Sequence, residues 1–472
     1  MAKKYDYDVV IIGAGISGLV CGCYLAKGGL KTLIVEKNSQ AGGYCTSFSR
    51  KGFYFDSCAH AFSSLSKNGV FRKICKELEL LSEVQFIRNN PSDIVITSTT
   101  KLKFFNDVNE TIKSWQRVFP EDRREIKKFF KFIDQTNQFF GYRSKTFKEV
   151  LNDFFKNSKI TTILSLTISS TVGVSADKLS AIMGLLLLKE FIFDGGYYPK
   201  GGMQEFVDIL TKKIKEFKGD VLCNKSVQKI NLKNGKVEGV LLDDRTDFTA
   251  KYVVSACDMA RTFFKLIGND LLSPYKNELL KSTPVSSSLF LTYLGVKIQQ
   301  PFPEDLKSNI LLVVDKKDVK ENEDLFAGGV MGIHAPSLWS PGINKKGLES
   351  LCLAVTVDYK DRYFWTKEIR KSYADIMCEV FSKFFPNILK GIVLRDTASP
   401  VTLKYWTANY HGAAFGWAST VQQFGNPEFS QKTEFENFYT TGHWSNQGSG
   451  ISLVANCGRN AANLILRKEG KK

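Results

Sequence analysis

Hydrophobic and polar positions near the start of the chain follow a strand, helix, strand pattern. Residues 8–12 (DVVII) are an unbroken run of β-forming residues, which predicts a strand buried on both faces. Residues 19–29 (LVCGCYLAKGG) carry apolar residues at helical spacing and end in two glycines, a common helix stop. Residues 31–36 (KTLIVE) predict a second buried strand. The three segments have the order and length of a βαβ unit.

The turn between the first strand and the helix carries Gly13, Gly15 and Gly18 in the spacing GxGxxG. In such a turn the first glycine allows the tight bend, the second lets the backbone approach a pyrophosphate, and the third lets the helix pack closely on the strand. The helix N-terminus presents free N–H groups and partial positive charge to phosphates. Glu36 ends the second strand, where a carboxylate accepts hydrogen bonds from ribose hydroxyls and repels a 2′-phosphate. The unit therefore predicts a site for NAD or FAD.

The rest of the chain divides into a mainly helical part and a part with alternating strand patterns. We expect helices over residues 66–195, where REIKKFFKFID (124–134) and FKEVLNDFF (147–155) place phenylalanines along one helix face. These faces either pack on the core, which is the favoured interpretation, or rest with their lysines on a membrane. Patterns such as SSLFLTYLGV (287–296) predict a β-sheet within residues 286–400, forming the floor of a substrate cavity.

Chain length and net charge limit the number of domains and the kinds of partner to expect. A chain of 472 residues exceeds what one hydrophobic core usually supports, so we expect two interleaved domains. The net charge of +17 predicts attraction to a polyanion. Because no nucleic-acid-binding module is recognisable, we expect no nucleic-acid partner and favour an anionic membrane surface. No segment predicts a membrane span, since the best one, residues 160–176, is interrupted by serines and threonines.

Ten cysteines are scattered through the chain without a CxxC pair or a metal-ligand cluster. This pattern predicts reduced thiols and no metal site. With no signal peptide ahead of the first strand, we expect a cytoplasmic protein that associates peripherally with the membrane.

Further motifs follow the βαβ unit in a definite order. Gly42-Gly43 precedes GFYFDSCAH (52–60), and YYPKGGMQEFVDIL (197–210) precedes two strands joined by a short turn. The C-terminal region adds GAAFGW (412–417) and GHWSNQGSGIS (442–452). In these motifs and their order, the chain resembles the phytoene desaturase, carotenoid isomerase and retinol saturase branch of the FAD-dependent, amine-oxidase-like flavoproteins.

The resemblance implies an α/β fold in which a Rossmann-type FAD-binding domain is interleaved with an α+β substrate-binding domain, as in glutathione-reductase-like and amine-oxidase-like flavoproteins. The FAD-binding domain is expected to comprise residues 1–65, 196–285 and 431–472, and the substrate domain residues 66–195 and 286–430. The residues expected to bind FAD are Gly13, Gly15, Ser17, Gly18, Glu36, Lys37, Gly42, Gly43, Tyr44, Val227, Gly442, Gly450 and Ile451.

Two of the positions that depart from the family pattern affect the expected cofactor contacts. Many relatives carry Arg after the second glycine pair, where this chain has Tyr44, which puts one cofactor contact in doubt. In the C-terminal loop many flavoproteins carry Asp or Glu where this chain has His443. A histidine there is expected to hydrogen-bond the ribityl chain and to change its charge near neutral pH.

The resemblance implies an oxidoreductase that acts on carbon–carbon bonds of a long apolar polyisoprenoid of carotenoid or retinoid type. Desaturation is the first expectation, followed by cis–trans isomerisation and saturation. His60, His411 and His443 lie in the flavin-proximal motifs and are the candidate catalytic acids or bases, whereas His334 is expected to be structural or exposed. Because no second GxGxxG unit follows a strand, we expect a quinone, oxygen, a carrier protein or a transiently bound nicotinamide as electron acceptor.

Two alternatives stay open. The first is an amine oxidase, whose flavin is typically flanked by an aromatic pair, for which Trp406, Tyr410 and Trp417 are available. The second is a prenyl-lipid-binding chaperone of the same fold without a working flavin, similar to the GDP dissociation inhibitors of small GTPases. The intact glycine turns argue against the second.

Overall fold

The computed structural model describes residues 4–297, 301–314, 323–326, 328–445 and 448–471. The strands are β1 (Tyr7–Ile12), β2 (Thr32–Val35), β3 (Ser47–Arg50), β4 (Phe53–Asp56), β5 (Phe86–Arg88), β6 (Asp93–Ile96), β7 (Lys101–Phe104), β8 (Tyr197–Pro199), β9 (Asp220–Leu222), β10 (Val227–Lys233), β11 (Lys236–Leu242), β12 (Asp247–Ser255), β13 (Ser288–Lys297), β14 (Asn309–Val313), β15 (Val330–His334), β16 (Leu348–Val357), β17 (Ile392–Ala398) and β18 (Phe438–Thr440). The helices are α1 (Ile16–Lys27), α2 (Val70–Glu77), α3 (Val108–Val118), α4 (Arg123–Ile133), α5 (Phe147–Phe154), α6 (Ser158–Val172), α7 (Ala181–Phe193), α8 (Met203–Glu216), α9 (Met259–Arg261), α10 (Pro274–Ser282), α11 (Pro336–Trp339), α12 (Lys367–Phe384), α13 (Pro400–Thr407) and α14 (Ile451–Lys468).

The first sheet contains the predicted βαβ unit. Its strand order is β10-β11-β12-β1-β2-β9, with β18 beside β12. β1 pairs in parallel with both β12 and β2, and β18 pairs in parallel with β12. The strands β1 and β2 are buried on both faces, because their alternate residues belong to two different core clusters, which is why they lack a polar alternation. The Rossmann-type α/β fold is thus confirmed.

The second sheet has the order β17-β13-β16-β15-β14-β6-β7. Its long central strands β13 and β16 pair antiparallel in unbroken register, and β6 joins β14 in parallel. The expectation of strands within residues 286–400 is confirmed, although that region also contains the helix α12. Residues 66–195 are mainly helical, as expected, but also contribute β5, β6 and β7, which the sequence pattern did not predict.

The strands of each sheet come from different parts of the chain. Those of the first sheet lie within residues 1–65, 196–285 and 431–472, and those of the second within residues 66–195 and 286–430. The two large sheets thus follow the proposed division into an FAD-binding and a substrate-binding domain, while the small β5–β8 sheet joins residues from both sides of it.

The phenylalanines of α4 and α5 lie in the core. Phe129, Phe130 and Phe132 of α4 are buried together with Phe147 of α5, while the lysines of α4 point to solvent. The core interpretation of these helices is therefore correct, and their apolar faces are not available to a membrane. Among the described residues, no helix is both long enough and apolar enough to cross a bilayer. All ten cysteines are free thiols, as predicted.

Two glycines set how closely α1 packs on its neighbours. A Cβ on Gly18 would lie 2.1 Å from the carbonyl oxygen of Gly13, at the end of β1. A Cβ on Gly458 of α14 would lie 2.2 Å from the carbonyl oxygen of Ser17. These distances are far shorter than any side-chain contact, so α1 lies against β1 and α14 only because both positions lack side chains.

We predict that Gly458→Ala destabilises the protein by about 1–3 kcal/mol, because the added methyl group forces α14 away from α1. In an ordinary helix interior the same change stabilises by roughly 0.5–1 kcal/mol. Destabilisation by Gly458→Ala would therefore show that the close contact between α14 and α1 outweighs the gain in helix propensity. The measurement is the urea and thermal unfolding of the purified variant. Gly141→Ala is the control, because nothing lies within 4 Å of its Cβ position. Equal stability of both variants would contradict this packing account.

Candidate functional site

A long cavity connects the two sheets and encloses about 2520 Å³ of empty space, part of it open to solvent. It begins at the turn between β1 and α1 and extends to the face of the second sheet. The residues expected to bind FAD line it, with the exception of Gly18: Gly13, Gly15, Ser17, Glu36, Lys37, Gly42, Gly43, Tyr44, Val227, Gly442, Gly450 and Ile451. Gly18 lies behind the turn and acts through packing, in agreement with the role that its motif position predicts.

The glycine turn forms an open cradle at one end of the cavity. Gly13 has a φ of +98°, and Gly15 caps the N-terminus of α1. The backbone N–H of Gly42 donates to the carbonyl of Ala14 at 2.8 Å, which brings the second glycine pair next to the first turn. Although Gly15 lines the cavity, no atom lies within 4 Å of its Cβ position. The free N–H groups of α1 therefore face open space of the kind a pyrophosphate requires.

Glu36 is held in a fixed orientation beside this cradle. Its Oε2 accepts a hydrogen bond from the Ala14 N–H at 2.8 Å, and its Oε1 accepts one from the Asn38 N–H at 2.9 Å. Each carboxylate oxygen keeps a further lone pair for a ribose hydroxyl. The side chains of Lys37 and Arg261 line the same region and supply positive charge. Arg261 was not identified from the sequence, since α9 carries no recognisable motif.

A second helix N-terminus opens onto the cavity at α14. Gly450 caps this helix with a φ of +101°, and no atom lies within 4 Å of its Cβ position. The neighbouring Ser449 is 2% exposed, and its Oγ has no hydrogen-bond partner among the described residues. With one open helix N-terminus for phosphates and another for an electron-rich ring, the residues present fit FAD.

Tyr44 replaces the family arginine and makes a structural contact. Its hydroxyl donates to the carbonyl of Ala413 at 2.9 Å and accepts from the Asn409 side-chain amide at 3.2 Å. Asn409 also accepts from the indole N–H of Trp444 at 3.1 Å. Tyr44 thus ties the segment around GAAFGW to the cavity wall, and burial raises the pKa of its phenol well above the usual value.

The structure separates the three candidate catalytic histidines. His60 and His443 line the cavity, and both side chains are partly buried. His411 does not line it: its backbone has a φ of +53°, and its ring stacks between Tyr359 and Tyr410 at centroid distances of 4.7 and 3.9 Å. The structure therefore does not bring His411 to the cavity with the other two histidines, so a catalytic role for it has no geometric support.

The surroundings of His60 and His443 disfavour the protonated, charged form of each imidazole. Burial lowers the pKa of His60 to about 4, and burial lowers the pKa of His443 to about 4 as well. Both imidazoles are neutral at pH 7. The expectation that His443 changes charge near neutral pH is therefore wrong, because the cavity does not solvate an imidazolium.

His334 also lines the cavity, and it is a buried histidine rather than an exposed one. It ends β15, is 5% exposed, and stacks on His60 with a centroid distance of 3.4 Å and an interplanar angle of 20°. The ring extends back over Gly332, where a Cβ would lie 3.1 Å from its Nε2. The Gly-x-His spacing on a strand is the only sequence signal for this arrangement, and it is a weak one.

Comparisons with known proteins agree with this geometry. The family model for flavin containing amine oxidoreductases matches residues 16–466. The chloroplastic prolycopene isomerase of Daucus carota is 23% identical, with 100% of this chain and 82% of that protein covered. The all-trans-retinol 13,14-reductase of Danio rerio is 22% identical (93% and 82% covered), and the 4,4′-diapophytoene desaturase of Methylomonas sp is 23% identical (98% and 95% covered). A solved oxidoreductase from Methanosarcina mazei superimposes with a TM-score of 0.69 at 17% identity, covering 96% of this chain and 99% of the other.

These matches confirm the resemblance inferred from the motifs, the amine-oxidase-like flavoprotein fold and FAD as the cofactor. The described residues contain no cluster of histidines, cysteines and carboxylates that could hold a metal ion.

We predict that Gly15→Val abolishes FAD retention while leaving the fold intact. The φ of −69° and ψ of 171° at this position suit valine, and its side chain would project into the space assigned to the pyrophosphate. The flavin-to-protein absorbance ratio after purification should fall about tenfold or more, a loss of about 1.4 kcal/mol or more in binding. Circular dichroism should be unchanged, and Gly141→Val should retain the cofactor. Full retention by Gly15→Val would place the pyrophosphate elsewhere.

Proposed function

Since the chain belongs to the flavin containing amine oxidoreductase family, we propose that it is an FAD-dependent oxidoreductase acting on a carbon–carbon bond of a long apolar isoprenoid of carotenoid or retinoid type. The observation that carries this proposal is the continuity of the cavity from the dinucleotide cradle to the second sheet. Residues of that sheet line the same cavity as Tyr44, His60 and Gly450.

The walls beyond the cradle support an apolar substrate. They are provided by the second sheet, by α6 and α7, and by the segment that leads into α14. The apolar lining residues of this part are Leu187, Phe191, Leu289, Leu311, Val330, Ala354, Phe415 and Leu453. A chamber lined in this way favours a ligand whose binding depends on burial of apolar surface.

The relatives support the substrate class and leave the reaction type open. Their names state an isomerisation, a reduction and a desaturation. We retain desaturation as the first proposal, followed by isomerisation and reduction, because the cavity has no feature that separates the three.

The residues of this chain have distinct parts in the proposed reaction. The N-terminus of α1 and Glu36 bind the pyrophosphate and the ribose, and the N-terminus of α14 stabilises negative charge at the ring. FAD, when bound, supplies the exchange of a hydride or electrons with the substrate. His60 is the proposed proton donor or acceptor, because its neutral imidazole lines the cavity. His443 is proposed to contact the cofactor rather than the substrate.

The amine oxidase alternative receives no support from the aromatic residues that suggested it. Trp417 packs on Trp444 and Phe429 outside the cavity, and Tyr410 stacks on His411 at the surface. Only Trp406 reaches the lining. The lipid-chaperone alternative is disfavoured by the open glycine cradles at Gly15 and Gly450, which a protein without flavin has no need to keep.

The electron acceptor and the location of the protein are proposals that rest on the sequence. The first rests on the absence of a second GxGxxG unit after a strand, and the second rests on the net charge. We propose a quinone, oxygen, a carrier protein or a transiently bound nicotinamide as acceptor. The net charge of +17 supports peripheral attachment of a cytoplasmic protein to an anionic membrane surface.

The test mixes the flavoprotein with candidate polyenes under anaerobic conditions, follows the flavin absorbance, and identifies the products by chromatography. We expect one polyene class to be desaturated, reduced or isomerised. His60→Gln should slow the reaction by about 100-fold or more, which is the usual contribution of a proton-transferring group. His411→Asn should react at the wild-type rate, since His411 lies outside the cavity. Turnover of amines with no effect of any polyene would overturn the proposal in favour of an amine oxidase.

A further inference from the structure

The solvent-exposed side of α4 is strongly basic. Its eleven residues include five cations, all of them exposed: Arg123, Arg124, Lys127, Lys128 and Lys131. Residues three and four apart in a helix share a face, so the last four of these cations lie together, and we call them the basic face. The opposite side of α4 is packed in the core, so the basic face is the side that meets solvent.

The charge of the basic face is not neutralised by its neighbours. None of its cations forms an ion pair within the part of the chain that the structure describes. The nearby carboxylates are engaged elsewhere, since Asp134 lies 3.9 Å from the Nζ of Lys189 and Asp153 lies 2.7 Å from the Nζ of Lys145. Glu125, in the first turn of α4, complements the positive end of the helix dipole. Like charges at this spacing repel, and an anionic partner relieves that repulsion.

An exposed phenylalanine lies next to the end of α4. Phe140 belongs to the 3₁₀ helix Thr136–Tyr142 and is 75% exposed, and it is the one exposed phenylalanine of the described residues. The rings on either side of it in the sequence, Phe139 and Tyr142, contact Phe132 of α4 at centroid distances of 5.6 and 5.5 Å. Phe140 is thus held beside the last turn of α4 and available to an apolar surface.

The helices beneath the basic face form a wall of the substrate chamber. Both α4 and the 3₁₀ helix pack on α7. On its other side α7 lines the cavity with Leu187 and Phe191. The basic face therefore covers the outside of the helical layer whose inner side is offered to the substrate.

A lipid surface fits these features better than a nucleic acid does. Basic side chains beside an exposed apolar one are the combination that attaches a protein to the interface of an anionic membrane. The proposed substrate is an apolar isoprenoid, which dissolves in lipid, whereas a nucleic acid has no part in the proposed chemistry.

We propose that the basic face and Phe140 dock the protein on an anionic membrane, with the cations at the lipid phosphates and the phenyl ring in the interfacial region. The apolar faces of α4 and α5 stay in the core, so attachment needs no rearrangement of these helices. This inference rests on the membrane attachment given under the proposed function and adds the surface that makes the contact.

The test is sedimentation of the wild-type holoprotein with phosphatidylcholine vesicles, with or without about 30% phosphatidylglycerol. We expect the anionic vesicles to bind about tenfold more tightly or better at about 0.1 M NaCl, and to lose this advantage at about 1 M, where the Debye length is about 3 Å. The triple variant Lys127→Gln, Lys128→Gln, Lys131→Gln should bind about 100-fold more weakly, since each cation contributes a factor of about five. Phe140→Ser should weaken binding about tenfold.

The matched control is the triple variant Arg72→Gln, Lys73→Gln, Lys76→Gln. It removes the same charge from exposed positions of α2, which packs on α14. This control should bind within about threefold of the wild type. An equal loss in both triple variants would overturn the basic face as the docking surface, while membrane attachment through net charge stands.

Two further results would overturn the inference. If the wild type does not bind anionic vesicles, membrane attachment and the docking surface both fail, whereas the carbon–carbon chemistry is decided separately by the polyene assay. If transfer RNA binds more tightly than the anionic vesicles and Phe140→Ser has no effect on either, the basic face is a nucleic-acid site instead.

Discussion

The close approach of α1 to β1 on one side and to α14 on the other is the constraint on which the site depends. Gly18 and Gly458 remove the side chains that would keep these elements apart. As a result, the N-termini of α1 and α14 open onto the same cavity, each with unpaired N–H groups and partial positive charge. A ligand with negative charge at two separated positions is stabilised at both ends without a charged side chain at either helix cap.

A second constraint holds the cavity wall to this frame. Asp56, the aspartate of the GFYFD segment, accepts hydrogen bonds from the hydroxyls of Ser47 and Tyr198 at 2.7 and 2.6 Å and from the N–H of Met203, the first residue of α8, at 3.3 Å. Burial raises the pKa of this carboxyl to about 6. The motifs at residues 52–60 and 197–210, which lie more than a hundred residues apart, are thus joined at one buried carboxyl. The aspartate of the first motif therefore has a structural role rather than a chemical one.

Sequence patterns predicted the nucleotide half of the fold because its elements are local. The turn at Gly13 to Gly18 and the carboxylate of Glu36 depend on near neighbours in the chain, and in the structure the N–H of Ala14 in this turn donates to Glu36. The sequence pattern did not predict strand β6, because its four residues are ordered by pairing with β14. The paired residues Asp93 and Asn309 are separated by 216 residues in the chain. The place of His334 could not be predicted for the same reason, since only the strand β15 and the stack on His60 show where it lies. For His411, proximity to a motif in the sequence does not report the backbone conformation that accompanies its position outside the cavity lining.

The proposed chemistry requires that the cavity between the two sheets hold FAD. The most direct measurement is to release the bound nucleotide by heat from the purified wild-type protein and to identify and quantify it by chromatography and mass spectrometry. We expect FAD in stoichiometric amount with the protein. Release of NAD, or a folded protein that carries no flavin and takes none up when FAD is added, would contradict it.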